Sequence, residues 1–403
     1  MNVLALNPGS NSLRYKFVAV EPTGEQVLVD EYVDRVTGSA TADVAARAVA
    51  DCRSLGLDAL GFRVVHGGER YADPARVTPE LLSYVRDLAP LAPLHVPTDL
   101  AVIEAARRAT PGLPAVAVFD TAFHRTIPEV ARRYALPDEA GPVVNRFGFH
   151  GIAHQFVAGE LFRLLGRGPA GTRVVSLHLG GGASACALRD GMSLDTSMGL
   201  TPLEGLVMST RCGDLDPGVV LALVRGGMTA DQVEELLARK GGLLGLSGTS
   251  GDIRDLEPAA AAGDRRAGLA LEAAAYRVRK YVGAYAAALG GLDAVVLSGA
   301  LAENSPTFRA RVLAGLVWLG VRLDDARNRA AGSDEPAELS PAGSAVPVWL
   351  VPADEERQIA RETVACLQTG STREPGSTGT TPAPTTAAPR RSSARPATMP
   401  ATT

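Results

Sequence analysis

Two apolar rhythms run through this chain. ALGFRVV, AVAVF, VVSLHL, AVVLSG and VPVWLVP are nearly continuous in apolar residues and too short for helices, so each predicts a buried strand. ADVAARAVADCRSLG, TDLAVIEAARRA and LALEAAAYRVRKYVGAYAAALG instead repeat their apolar positions every three or four residues, which predicts helices. A last helical pattern, EERQIARETVACLQ, reads as a closing element that returns to the N-terminal half. Strand–helix–strand units mixed with hairpins predict α/β domains built on mixed sheets.

One pattern occurs twice. VLALNPGSNSLRYKF is a strand, a turn with Asn7, Gly9, Ser10 and Ser12, and a second strand. VVSLHLGGGASACAL repeats it with Gly180, Gly181, Gly182 and Ser184 in the turn, and matching Leu4-x-Leu6 to Leu177-x-Leu179 sets the copies 173 positions apart. Small residues let turn amides approach an anion closely, and hydroxyls add donors. Two such clasps imply a duplicated architecture that grips one polyphosphate in a cleft between two domains. Neither is a Walker or dinucleotide loop, because the spacing differs and the chain continues into a strand rather than a helix. Either turn alone also reads as an ordinary hairpin; the repetition carries the argument.

Composition narrows the class. A length of 403 residues suits about two domains with sizeable cores, and 46% hydrophobic and 21% charged residues fit a soluble globular chain. The net charge of −4 gives no reason to expect nucleic acid or an acidic membrane as partner. Cys52, Cys186, Cys212 and Cys366 lack CxxC spacing and no signal peptide precedes the first strand, so reduced thiols in a cytoplasmic protein are expected. AYAAALGGLDAVVLSGALA is broken by Asp293 and reads as helix, turn and strand rather than a membrane span. From about Gly370 onward Thr, Pro, Ala, Ser and Gly dominate, with Arg373, Arg390, Arg391 and Arg395. That composition predicts a disordered extension, or in the functional reading a basic partner-binding tail.

Polar residues gather at the ends of the predicted strands. GFRVVHGGER puts Arg63 and Val65 on one strand face, where a guanidinium could hold a carboxylate or phosphate, or form a surface ion pair. AVAVFDTAFHRTIP ends an apolar strand on Asp120, a place for a catalytic carboxylate and equally for a helix cap. GFHGIAHQ carries His150 and His154 at helical spacing; no Glu or Cys completes a metal set, so His150 reads as a donor to developing negative charge and His154 as structural. The long Gly/Ser/Thr-rich run LDTSMGLTPLEGLVMSTRCGDLDPG contains one cation, Arg211, a candidate clamp for a phosphoryl group. SGTSGDIRDLE and SGALAENSP read as parts of a ligand rim with Asp252, Arg254, Glu303 and Asn304 as polar tips.

Taken together, RVVHGGE, LAPLH, VFDTAFH, GFHG, DTSMGLTPLEGLVMSTRCG and AYRVRKYVGAYAAALGG resemble, in order, the acetate kinase family of acyl kinases, in the acetate and sugar kinase/Hsp70/actin superfamily. The resemblance runs from residue 2 to about residue 367. It implies two ribonuclease-H-like α/β domains around a nucleotide cleft: residues 1–122 completed by a helix at 354–368, and residues 123–353, with 369–403 outside. It further implies a homodimer, with ATP or ADP and Mg²⁺ (replaceable by Mn²⁺) in the cleft, and reversible phosphoryl transfer between ATP and acetate giving acetyl phosphate. By the same resemblance Asn7 and Glu355 hold the metal, and Arg63 binds the acid within a pocket of Val65, Leu94, Phe149 and Pro202. Asp120, His150 and Arg211 fall on the catalytic positions. Nucleotide contacts fall on Arg14, on His178, Leu179, Gly180, Gly181 and Gly182, on Asp252, Ile253 and Arg254, and on Ala300, Leu301, Ala302, Glu303 and Asn304.

The chain departs from the family pattern at four places. Arg14 replaces a lysine, Gly181 an asparagine and Phe62 a histidine, while ALAEN stands for GIGEN at 300–304. None falls on Arg63, Asp120, His150, Arg211 or Glu355. A pocket that size discriminates one methylene by only about 1–3 kcal/mol, so a propionate or butyrate kinase stays open at this point. So does a nucleotide-binding regulatory protein on the same fold, which the altered clasps would suit.

Overall fold

The computed structural model describes residues 1–9, 12–22, 24–93 and 95–369. Ser10, Leu94 and the tail beyond 369 lie outside the described residues. The predicted runs form strands and helices where the pattern places them. β1 (Asn2–Pro8), β2 (Ser12–Glu21), β3 (Gly24–Asp34), β4 (Ala59–Val64), β5 (Ala75–Arg76) and β6 (Ala115–Phe119) make one sheet in the order β3-β2-β1-β4-β6-β5. β7 (Arg173–Leu179), β8 (Ala183–Arg189), β9 (Met192–Thr196), β10 (Ala294–Ser298), β11 (Ala337–Glu338) and β12 (Val348–Leu350) make the other, in the order β11-β12-β10-β7-β8-β9.

The two orders are one topology. In each sheet the first three strands form an antiparallel meander, the central pairs are parallel, and a two-residue antiparallel strand closes the edge. The α/β duplication expected from the repeated hairpin is therefore complete, down to the edge strands.

Its register differs from the sequence match. β1 and β7 share the burial pattern i-B-B-B-B-i-B from intermediate (i) to buried (B) positions, which superposes Asn2 on Arg173 and Leu6 on Leu177. The turns open at matching places, since Gly9 N–H donates to the Ser12 carbonyl at 2.8 Å and Gly180 N–H to the Gly182 carbonyl at 2.9 Å, the first turn being one residue longer. Matching Leu4-x-Leu6 to Leu177-x-Leu179 was thus two residues out. A two-residue slip leaves every side chain on its own face, so alternation alone cannot detect it.

Helices cover both faces of each sheet. α1 (Ser39–Arg53) and α2 (Val96–Ala109) pack on Leu4, Leu6, Leu60 and Phe62 of the first sheet. α4 (Arg265–Leu289) lies on Val175, Leu177 and Ala185 of the second. The remaining faces are covered crosswise. α3 (Gly151–Leu164), which follows the first sheet in sequence, puts Phe156, Val157 and Leu161 against Val174, Leu188 and Val296 of the second. α5 (Glu355–Gln368), which follows the second sheet, puts Ile359, Ala360 and Val364 against Val3, Ala5, Val116 and Val118 of the first. The closing helix does return to the N-terminal half. Gly61 makes room for it: a Cβ there would lie 2.4 Å from Thr363 Oγ1 and 2.8 Å from Ile359 Cγ2.

Cys52, Cys186, Cys212 and Cys366 are all free thiols. No described helix is long and apolar enough to cross a membrane.

Candidate active site

The crosswise helices bring both N-termini toward one space. His150 precedes α3 in the left-handed region, with φ of 57°, a conformation costly for a side chain with a Cβ. Close approach explains it: Gly151 N–H donates to the Asp120 carbonyl at 2.9 Å, and a Cβ at Gly151 would lie 2.2 Å from that oxygen. The glycine locks α3 to the end of β6 and turns His150 out of the helix.

Asp120 does not cap a helix. Its Oδ2 accepts from Arg63 Nε at 3.1 Å and Nη2 at 2.6 Å, while Arg63 Nη1 donates to the Pro8 carbonyl at 3.0 Å. Burial opposes the charge on Arg63, but Asp120, Glu355 and Asp99 outweigh it and raise its pKa. Arg63 is therefore a buried cation at the end of β4, not the strand-end surface pair. Asp120 Oδ1 is buried with no hydrogen-bond partner among the described residues.

Arg211 enters from the long polar run. Its Nη1 donates to the Pro202 carbonyl at 2.8 Å, and burial followed by repulsion from Arg63 depresses its pKa to about 10. Two largely buried guanidiniums that repel each other make a site for an anion. His150 joins them, because a Cβ added at Gly182 would lie 3.1 Å from Arg211 Nη2 and 3.3 Å from His150 Nε2. His150 Nδ1 meets Ser184 Oγ at 3.0 Å, leaving Nε2 toward the arginines. Burial, then His178, His154 and both arginines, lowers the pKa of His150 well below the usual value, so the ring is neutral. His154 is structural, as read from the sequence: its ring is held between Ser176 and Ser184, at 2.8 Å from each hydroxyl.

On the opposite side, Asn7 Nδ2 donates to Glu355 Oε2 and Glu356 Oε1, both at 2.7 Å, joining the first strand to the last helix. Burial and the nearby Asp120 raise the pKa of Glu355; burial raises that of Glu356 to about 7 against the pull of Arg14. Arg14 turns to Asp30 at 3.4 Å and Glu356 at 3.5 Å.

The remaining predicted residues flank this centre. Val65 and Phe149 are each 1% exposed, one beyond Arg63 and one before His150, and Pro202 is tied to Arg211. The Gly180–Gly182 turn is bound to the Arg211 segment through Ser209 N–H to the Gly181 carbonyl at 3.1 Å. His178 lies with its ring 4.8 Å from that of His150. Leu179 and Gly180 adjoin the short helix Ala300–Asn304: a Cβ at Gly299 would lie 2.6 Å from the Leu179 carbonyl oxygen, and one at Gly180 3.9 Å from Ala300 N. Asp252 caps the helix Ile253–Ala261 and pairs with Arg254 at its exposed end, while Leu301 and Ile253 pack partly buried on the core.

Glu303 and Asn304 differ from the expected free polar tips. Glu303 Oε1 accepts from Gly299 N–H at 2.8 Å and Ala353 N–H at 3.2 Å, and Asn304 Nδ2 donates to the Ala300 carbonyl at 2.8 Å. Their side chains hold the backbone of the rim. Two groups near the arginines had no assigned role. His95 is pushed down to about 3 by burial, Arg63 and Arg211. Asp99, one turn later, is 1% exposed and accepts from Val65 N–H at 2.9 Å. The i, i+4 spacing of LHVPTD was their available signal.

The sequence profile of the Acetokinase family matches residues 44–361. The chain belongs to this family. Among curated relatives of this acetokinase, the acetate kinase of Micrococcus luteus is 48% identical over 385 residues, spanning 90% of this chain and 98% of its own. Among solved structures, the Porphyromonas gingivalis acetate kinase superposes with a TM-score of 0.81 at 37% identity, over 91% of this chain and 99% of that one. A propionate kinase from Francisella tularensis gives 0.80 at 31% identity, over 90% and 98%. The acetokinase fold thus accommodates more than one short acid, and shape alone does not name the acid.

Proposed function

We propose that this acetokinase is an acetate kinase, transferring the γ-phosphoryl group of ATP reversibly to acetate to give acetyl phosphate and ADP. The observation that carries the chemistry is the buried pair Arg63 and Arg211, with neutral His150 and the Gly182 clasp beside Arg211. The acid is named by the relatives, two of which are curated as acetate kinase at 43% and 48% identity over 91% and 90% of this chain; nothing among the described residues of the site favours a longer acid.

Acetate is ionised near neutral pH and needs no general base. Its oxygen forms a bond to the γ-phosphorus as the bond to the β,γ-bridging oxygen breaks, and ADP leaves with that oxygen. Phosphoryl transfer asks for alignment and for neutralisation of the equatorial oxygens. In this reading Arg63 holds the acid, Val65, Phe149 and Pro202 (with Leu94) border its methyl group, and Asp120 fixes the guanidinium. Arg211 and the Nε2–H of neutral His150 donate to the transferring phosphoryl group. His178 through Gly182 hold the nucleotide phosphates, joined by Arg14; Asp252 through Arg254 and Ala300 through Asn304 border the nucleoside.

The donor set suits Mg²⁺. Asn7, Glu355 and the unpartnered Asp120 Oδ1 offer oxygens in a place already crowded with negative charge. Among the described residues no three His, Cys, Asp or Glu form a closed cage, which a metal shared with substrate phosphates does not need. When bound, the metal would supply charge neutralisation to the nucleotide phosphates.

The domains in this reading are 1–122 with 354–368, and 123–353. The protein works in the cytoplasm as a homodimer. Supporting the dimer, the helix Pro217–Arg225 buries none of its residues yet carries Val219, Leu221 and Val224, which are 41%, 52% and 47% exposed.

The test is purified protein with ATP, Mg²⁺ and acetate, trapping the acyl phosphate with hydroxylamine. An acyl hydroxamate is expected with acetate. Its absence with acetate, propionate and butyrate alike, despite ATP binding, would leave a regulatory nucleotide-binding protein instead.

A further inference from the structure

We propose that Asp99 is a positioning residue of the acid site, and that its proton controls how strongly Arg63 holds a carboxylate. The proposal rests on the reading that Arg63 binds the acid substrate.

Geometry makes Asp99 part of the support behind that arginine. It lies in the first turn of α2, 1% exposed, and its Oδ2 accepts the backbone N–H of Val65 at 2.9 Å. Val65 is the first residue beyond β4, two after Arg63, so this bond fixes the chain end that presents both. Asp99 Oδ1 is buried with no hydrogen-bond partner among the described residues. An ionised carboxylate would leave that oxygen without a donor from them, whereas a neutral acid costs far less there.

The charges around it are few. Arg63 on β4 favours the ionised form, as does the Val65 N–H, and Asp120 beyond β6 opposes it. No group of α1 or of the helix Pro79–Asp87, which also pack on α2, adds charge at Asp99. β1 carries no titratable side chain, and His95, just before α2, is neutral. Burial dominates and pushes the carboxyl up to about 7. Glu356, which burial also pushes up to about 7, touches Asn7 and Arg14 and not Arg63.

The sign follows. Below about pH 7 Asp99 is neutral, and Arg63 is bonded to Asp120 with its remaining charge directed to substrate. Above it a further negative group competes with the incoming acid. By reciprocity, acid binding raises the affinity of Asp99 for its proton, so acetate binds with proton uptake. Acetyl phosphate, also an anion at Arg63, follows the same rule.

Steady-state kinetics of the native protein and Asp99→Asn from about pH 6 to about pH 8.5 test this. The amide can still accept from Val65 N–H but cannot ionise. The native KM for acetate should rise about tenfold across that range, for a coupling of about one pKa unit, with the KM for ATP unmoved. In Asp99→Asn the acetate KM should stay flat at the low-pH value. A flat native profile, or the same rise in the variant, overturns the proposal. A second readout needs no turnover and separates this from failure of the kinase reading. A carboxyl whose pKa is raised in the folded state costs stability as pH rises from about 4 to about 7. The melting temperature of Asp99→Asn should therefore pull ahead of native across that window and hold its lead above it. A gap independent of pH refutes a buried acid at position 99. If the variant does not fold, the native KM profile still decides.

Discussion

Replacing Asp120 by asparagine removes one charge and almost no volume. Both Asp120 contacts to Arg63, at 3.1 and 2.6 Å, end on the single oxygen Oδ2, so an amide oxygen in that place can keep both. What it loses is charge assistance, worth roughly 1 kcal/mol or more per bond, since such bonds are about twice as strong as neutral ones. Arg63 keeps the Pro8 carbonyl at 3.0 Å, and Glu355 and Asp99 still act on its charge, so the guanidinium loosens rather than leaves. A loss of about 2.7 kcal/mol in the transition state corresponds to a hundredfold lower kcat, the scale expected when a clamping group drifts by about 1 Å. Removing a negative neighbour also favours the substrate anion. The acetate KM should therefore hold or fall while kcat drops. Hydroxamate trapping at saturating ATP and acetate measures kcat, and calorimetry with ADP checks that nucleotide affinity stays within about threefold. If kcat changes by less than about threefold in a variant with native melting, Asp120 does not set the working position of Arg63.

Gly182→Ala would put a methyl 3.1 Å from Arg211 Nη2 and 3.3 Å from His150 Nε2; kcat should fall about tenfold or more with little change in melting temperature. Normal turnover would show that this clasp does not face the reacting group. A Cβ at Gly181 would meet, among the described residues, only Ser209 Oγ within 4 Å, at 3.8 Å, so Gly181→Asn should fold normally and, by adding one donor near the phosphates, tighten ADP binding by about three- to tenfold in calorimetry. Weaker binding would contradict that geometry. Arg309 is 0% exposed and bonds to neutral acceptors: Asn328 Oδ1 at 2.7 Å and the carbonyls of Asn328, Ala302, Glu303 and Ala331. Arg309→Ala strands those oxygens beside a cavity and should cost about 3–5 kcal/mol in chemical denaturation, with weaker nucleotide binding through the Ala300–Asn304 helix. An unchanged denaturation midpoint would refute this.

Legibility in the sequence followed the range of the interaction. The clasps could be read because a tight turn requires small residues next to each other in the chain, and the duplication because it repeats such a turn. Arg63 and Asp120 stood out one at a time, each at the end of an apolar run; their mutual bond, across 57 residues, did not. Glu303 and Asn304 read as free tips because the N–H and carbonyl groups they satisfy have no sequence signature. Asp99 was hidden for the opposite reason, since an acid in the first turn of a helix is ordinary complementation of the helix dipole. Only its burial against Val65 N–H makes it unusual.

The duplication also explains how a symmetric fold carries an asymmetric site. α3 and α5 are both 14 residues long, each covers the sheet of the other half, and both begin near Asp120: Gly151 N–H donates to its carbonyl, and its charge acts on Glu355. Their first residues have diverged. One helix opens behind His150, kept neutral by burial and neighbouring cations; the other opens on Glu355 and Glu356, tied to Asn7. One start can thus donate a hydrogen bond while the other gathers negative charge; under the proposed transfer the phosphoryl group would meet different partners on its two sides. The corrected register places Asn7 over His178 and Gly9 over Gly180, so the hairpins divide in the same way. Arg14 and Gly181 lie in those hairpins, whereas Arg63, Asp120, His150 and Glu355 lie at strand ends and helix starts. If the hairpins hold the nucleotide as proposed, substitution there should retune its affinity while the Arg63–Asp120 pair, fixed by β4, β6 and α3, keeps its geometry.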